Sequence, residues 1–165
     1  TAREVLDRLL NGGHSSGGRD MLKAAVEEAG NQASKLGIAR ARLLGVTVLT
    51  SLDKSDLVAT GVNDEPSDQV LRLTGLAREA GLDGVICSPH EIAALRKQCG
   101  TDFVLMVPGI RPVGSDANDQ KRAMTPRQAV DLGATHLVVG RPIYQASNPR
   151  NAAEAIAREA GVNDL

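Results

Sequence analysis

The chain reads as an α/β protein built from parallel βα units, and three features of the sequence predict this. From residue 19 onward, segments with apolar residues at helical spacing alternate with short, nearly continuous apolar runs. Those runs lack the alternation of a half-solvated strand, as strands buried on both faces should. Helix-start signatures, Ser-Pro-x-Glu and Thr-Pro-x-Gln, recur between the runs.

Taken in order, Asp20 to Leu36 is predicted as a helix with Met21, Leu22, Ala25 and Ala29 near one face. Leu43-Leu44-Gly45-Val46-Thr47-Val48-Leu49 is predicted as a buried strand. Asp53-Lys54-Ser55-Asp56 lies in a polar stretch and reads as a solvated turn. Ser67 to Ala80 is the next helix, because Val70, Leu73, Ala77 and Ala80 recur at a spacing near 3.6 residues. Gly84-Val85-Ile86-Cys87 is the second strand. Ser88-Pro89-His90-Glu91 then opens a helix: serine can cap, proline suits the first helical position, and glutamate three residues after the serine completes a capping box. Phe103 to Val107 is the third strand, Thr125-Pro126-Arg127-Gln128 repeats the helix start, and His136 to Val139 is the fourth strand. Asn148-Pro149 opens a last amphipathic helix carrying Ala152, Ala153, Ile156, Ala157 and Ala160.

Each strand is thus followed by a helix or a helix-bearing loop. Periodicity leaves open whether four such units form an open sheet or half of an eightfold barrel. The polar, loop-rich strand ends favour the (β/α)8 TIM barrel, in which sites form at the C-terminal strand ends and phosphate is held by the loops after the last two strands. Residues 1–165 are then one domain, a partial TIM barrel, with a break expected near residues 10–14.

Composition narrows the function classes. At 165 residues and 42% apolar composition, the chain has material for one domain with a sizeable core. Its 19 basic and 20 acidic residues are interspersed, so the net charge of -1 creates no field that would draw nucleic acid or an anionic membrane. One Tyr and one Phe leave almost no base-stacking platform. Cys87 falls in a strand-like run and Cys99 near a helix end, with no paired spacing for zinc, so both read as structural thiols of a reducing compartment. No apolar run approaches the ~20 residues of a membrane span, and no signal-peptide pattern opens the chain. A soluble, cytoplasmic protein is the expectation.

The residues that suggest chemistry stand at strand ends. Gly140-Arg141-Pro142 follows the apolar run His136 to Val139 and joins an unhindered backbone to a guanidinium. Glycine lets an anion approach the main chain, and arginine presents forked donors that match phosphate oxygens. A Gly-Arg pair is ordinarily a solvated turn. The pattern gains weight because Val107-Pro108-Gly109-Ile110-Arg111-Pro112 places the same chemistry at the end of the preceding strand.

Several segments read in order carry a family resemblance. They are His14-Ser15-Ser16-Gly17-Gly18, Val46-Thr47-Val48-Leu49-Thr50-Ser51, Gly81-Leu82-Asp83-Gly84-Val85, the stretch from Pro108 through Gln120, and Val139-Gly140-Arg141-Pro142-Ile143. Together they resemble orotidine 5′-phosphate decarboxylase of the bacterial type, over roughly residues 14 to 160. The resemblance implies decarboxylation of orotidine 5′-phosphate to uridine 5′-phosphate (UMP) in pyrimidine biosynthesis, with no metal or organic cofactor, by a cytoplasmic homodimer. It implies that Gly140 and Arg141 bind the phosphate, that Gln120 bridges phosphate and pyrimidine from a loop, and that Arg111 lies on the phosphate side of that loop. Thr50 would reach the nucleotide from its strand end, and Thr1 would join these substrate contacts.

Departures from the pattern matter equally. The family's Asp-x-Lys-x-x-Asp motif, whose lysine protonates the carbanion left by CO2 loss, is absent from this sequence. Asp53-Lys54-Ser55-Asp56 has the wrong spacing to replace it. The first strands, with an aspartate for the ribose and a further lysine, are also missing, and Thr1-Ala2-Arg3-Glu4-Val5 looks like the stretch just after the motif. Three small residues before His14 stand where the family places a loop and a strand. The chain is therefore expected to carry the nucleotide grip and no catalytic residue. Two rivals remain at this level: another phosphosugar barrel, such as a keto-sugar-phosphate decarboxylase or aldolase, and a catalytically inert half-barrel acting as an interaction or folding partner.

Overall fold

Strands without polar alternation need cover on both faces, and the architecture follows from that requirement. The computed structural model describes residues 14–113 and 123–162. The elements are α1 (Arg19–Leu36), β1 (Leu44–Val46), α2 (Lys54–Ala59), α3 (Pro66–Glu79), β2 (Gly84–Ile86), α4 (Ile92–Cys99), β3 (Val104–Val107), α5 (Pro126–Asp131), β4 (His136–Leu137), α6 (Arg141–Tyr144) and α7 (Pro149–Glu159).

The four strands form one parallel sheet in the order β1-β2-β3-β4. A doubly wound open sheet reverses its strand order partway. A monotonic order, with the right-handed crossovers that parallel connections require, places every connecting helix on one face, as on the outside of a barrel. In agreement, α3 packs on β1 and β2 and lies between α1 and α4. Register places Gly45, Val85 and Leu105 in one row and Val46, Ile86, Met106 and His136 in the next. A Cβ on Gly45 would meet Ala77 of α3, so the Gly45 row faces the helices. Val85, Leu105 and Val107 are fully buried there, in a cluster with Val70, Leu73, Ala77, Ile92 and Leu95.

Three local expectations change. Asp53 is no solvated turn residue: its carboxylate accepts the Ser55 and Asp56 N–H groups, the Asp56 side chain accepts the Asp53 N–H, and this capping box starts α2. At the second strand end, Ser88 accepts the His90 N–H, and Pro89–Glu91 form a 3-10 turn before α4 begins at Ile92. The first strand is shorter than its apolar run: Thr47 still donates through its N–H and its hydroxyl to the Ile86 carbonyl, after which Leu52 N–H turns back to Leu49 O. The Thr125-Gln128 capping box and the Asn148 cap form as expected.

The N-terminal strand ends are stapled. Arg40 makes a two-pronged pair with Asp83 at 2.8 and 2.9 Å, and Asp83 also accepts the Leu43 N–H at 2.7 Å. Arg96 donates to the Gly133, Gly100 and Phe103 carbonyls, tying α4 to the entries of β3 and β4. Partial burial pushes the Asp83 carboxyl up, but the Arg40 hydrogen bonds and the Leu43 N–H outweigh it and hold its pKa below the usual carboxylate range. A depressed pKa in the folded state contributes stability above the unfolded value near 3.9, and that contribution is lost as pH falls through the folded value. Asp83→Asn should therefore cost about 1 to 2 kcal/mol at pH 7. In thermal melts across pH, the gap between wild type and variant should shrink only below about pH 4. A gap that is constant down to the acid limit would remove the charge from this explanation.

Candidate functional site

Because all four strands run the same way, the loops after them share one end of the sheet, opposite the stapled end. That end holds most of the buried polar side chains: Thr47, Thr50, Ser88, Glu91 and Arg111. Burial of so many polar groups is costly unless they serve one another or a ligand.

After β1, Thr50 is buried in the loop that Asp53 closes by capping α2. After β3, Gly109 takes φ +81, a conformation natural to glycine, and turns the chain toward Ile110 and Arg111. Arg111 is only 8% exposed, and its guanidinium donates to the Ile110 carbonyl at 2.8 Å. Its N–H donates to Met124 O, and Met124 N–H donates to Gly109 O, which ties the two sides of the following segment together at their base. After β4, Gly140 caps α6: its carbonyl accepts the Ile143 and Tyr144 N–H groups, while Arg141 is the first residue of that helix and half-buried.

The structure thus gathers Thr50, Arg111, Gly140 and Arg141 at one end of the sheet, on the exits of β1, β3 and β4. Gln120 and Thr1 lie outside the described residues. Ser88 and Glu91, on the exit of β2, were not anticipated as part of this end. Their signal was present as polar residues directly following an apolar run, but the capping role of that tetrapeptide explained them without a site. The glycines at this end and in the sheet differ in kind. A Cβ at Gly140 would find its nearest neighbour, a Tyr144 ring carbon, at an ordinary 3.7 Å, so no side chain of the described protein requires glycine there. Among the described residues no three His, Cys, Asp or Glu side chains group as metal ligands. A cavity of about 400 Å³ lined by Arg42, Asp83, Cys99, Asp102, Phe103 and Val104 belongs to the stapled end, away from these strand exits.

Residues 13–156 match the family model described as the orotidine 5′-phosphate decarboxylase / HUMPS family. The chain belongs to this family. Among its relatives, the orotidine 5′-phosphate decarboxylase of Haemophilus ducreyi is 51% identical over 143 residues, covering 87% of this chain and 60% of the relative. That of Rhodospirillum rubrum is 52% identical over 146 residues, covering 88% and 59%. The crystal structure of orotidine 5′-phosphate decarboxylase from Lactobacillus acidophilus superposes with a TM-score of 0.74 at 38% identity, covering 89% of this chain and 61% of that one. The chain therefore spans about 60% of the length of the curated relatives it matches. The fold of the orotidine 5′-phosphate decarboxylase family is the TIM barrel, and the four consecutive parallel strands are an arc of it.

Proposed function

We propose that this chain is the phosphate- and nucleotide-gripping part of an orotidine 5′-phosphate decarboxylase, acting in pyrimidine biosynthesis on a small nucleotide and needing no metal or organic cofactor. The observation that carries this reading is the pair of neighbouring strand exits after β3 and β4. One exit carries a buried guanidinium, Arg111, and the next carries a glycine that no packing demands, Gly140, followed by Arg141. Gly140 leaves room for a phosphate oxygen to reach the main chain, and Arg141 supplies paired charged donors. Thr50 approaches the nucleotide from the exit of β1, and Gln120 and Thr1 complete its contacts. Residues 1–165 act as one partial-barrel domain.

Phosphate contacts far from the reacting carbon supply binding energy that holds the pyrimidine in place, so remote affinity becomes transition-state stabilisation. A cytoplasmic homodimer is part of the same proposal; among the described residues no helix is long and apolar enough to cross a membrane. A different phosphosugar barrel would keep the same grip, but relatives near half identical to this chain are named decarboxylases.

Calorimetric titration of the chain with UMP and with uridine tests the grip. Arg141→Ala should weaken UMP binding by about 1.5 to 3 kcal/mol, one to two decades, and leave uridine nearly unchanged. Equal losses for nucleotide and nucleoside would remove the phosphate role.

A further inference from the structure

The missing side chain of Gly140 leaves a gap at the exit of β4, and the residue that borders the gap is Tyr144. It stands one helical turn beyond Gly140, whose carbonyl accepts the Tyr144 N–H at 3.2 Å. Side chains of a right-handed helix lean back toward its N-terminus, so residues four apart share a face and the later one covers the turn before it. The ring follows this rule: its Cε1 carbon lies 3.7 Å from the position that a Cβ on Gly140 would take. The hydroxyl oxygen is bonded to the ring carbon next to Cε1, so it lies within one phosphate group's reach of the same gap. Contact between α6 and α7 holds the turn, and with it the ring, in place.

We propose that Tyr144 is a further phosphate contact, its hydroxyl donating to an oxygen of a nucleotide phosphate lodged beside Gly140. This rests on the phosphate grip proposed above and adds a neutral donor to it. A phenol can give one hydrogen bond, and a phosphate oxygen is a charged acceptor that strengthens that bond. Gly140 and Tyr144 thus act together. The glycine lets the anion approach the main chain, and the ring returns across the same turn to meet it from the side. Phenylalanine at this position would keep the wall and lose the donor, which makes the role separable from packing.

Calorimetric titration should find that Tyr144→Phe binds UMP about tenfold or more weakly than the unmutated chain, because one charge-assisted hydrogen bond is lost. Uridine affinity should stay within about twofold of the unmutated value, since the nucleoside brings no acceptor to that place. Unchanged UMP affinity overturns the proposal. So does an equal loss for uridine, which makes the tyrosine a contact of the base or sugar. A second readout needs no variant of the tyrosine: with one Tyr and no Trp in the sequence, intrinsic fluorescence reports Tyr144 alone. Inorganic phosphate should change that fluorescence saturably, and Arg141→Ala should move the saturation to higher phosphate. A change that never saturates, or none, overturns the contact. Arg141→Ala also separates the two readings. If it weakens UMP selectively while Tyr144→Phe does not, the grip stands without the tyrosine; if it weakens UMP and uridine equally, the grip fails and the tyrosine contact with it.

Discussion

Gly84→Ala should destabilise this chain by at least about 3 kcal/mol at 25 °C. Gly84 opens β2, with Leu44 of β1 and Val104 of β3 beside it in register. An added Cβ would overlap the Val104 carbonyl oxygen, stand 2.5 Å from the Val104 Cβ and 2.8 Å from the Leu44 Cδ2. The leucine tip could rotate away, but a carbonyl and a Cβ move only if the backbone of β3 moves. The strands would have to part at the centre of the sheet, at a cost of at least about 3 kcal/mol. That is a large share of the roughly 5 to 15 kcal/mol that holds a domain folded. Gly30→Ala is the matched control: Gly30 lies within α1 with nothing within 4 Å of the added carbon. Alanine there should raise stability by about 0.5 to 1 kcal/mol through helix propensity. Urea titrations followed by circular dichroism compare the two, and a Gly84→Ala transition matching wild type would show that β2 and β3 are not packed as described.

The same contrast explains what could be read from the sequence. Strands and helices were legible where one constraint dominated: Val70, Leu73, Ala77 and Ala80 mark a helix face that is buried throughout, and Thr125-Gln128 closes the box its spacing demands. Asp53 was not legible, because an aspartate followed by polar residues suits a solvated turn and a helix cap equally. The distinction rests on whether Leu57 finds the core, and Leu57 is buried. Strand order was beyond periodicity as well, since open sheets and barrels share the same βα pattern and differ only in which strands become neighbours. At the candidate site, Gly140 and Arg141 stood out because their chemistry is unusual at a strand exit. Ser88 and Glu91 did not, because small and acidic residues at a helix start already have a local role. Only burial separates the two uses, and burial is set by the neighbouring strands.

The 165-residue chain by itself is expected to bind UMP and to leave orotidine 5′-phosphate undecarboxylated. The residues of the proposed grip lie on the exits of β1, β3 and β4, whereas no lysine of this sequence stands between aspartates at the Asp-x-Lys-x-x-Asp spacing that the family resemblance calls for. Binding energy from the phosphate can position the pyrimidine, but the carbanion left by CO2 loss still needs a charged neighbourhood and a proton donor, each worth on the order of two or more decades in rate. Supplying in trans the part of the Rhodospirillum rubrum relative that this chain does not match, about 40% of its length, should restore release of labelled CO2 from carboxyl-labelled orotidine 5′-phosphate. That segment should complete the sheet that β1-β2-β3-β4 begin, so activity should saturate at one segment per chain. Arg141→Ala in the reassembled pair should lower kcat/KM by one to two decades, the loss predicted for UMP affinity. Robust decarboxylation by the unsupplemented chain would place the proton donor among these 165 residues and overturn the division of labour between grip and chemistry.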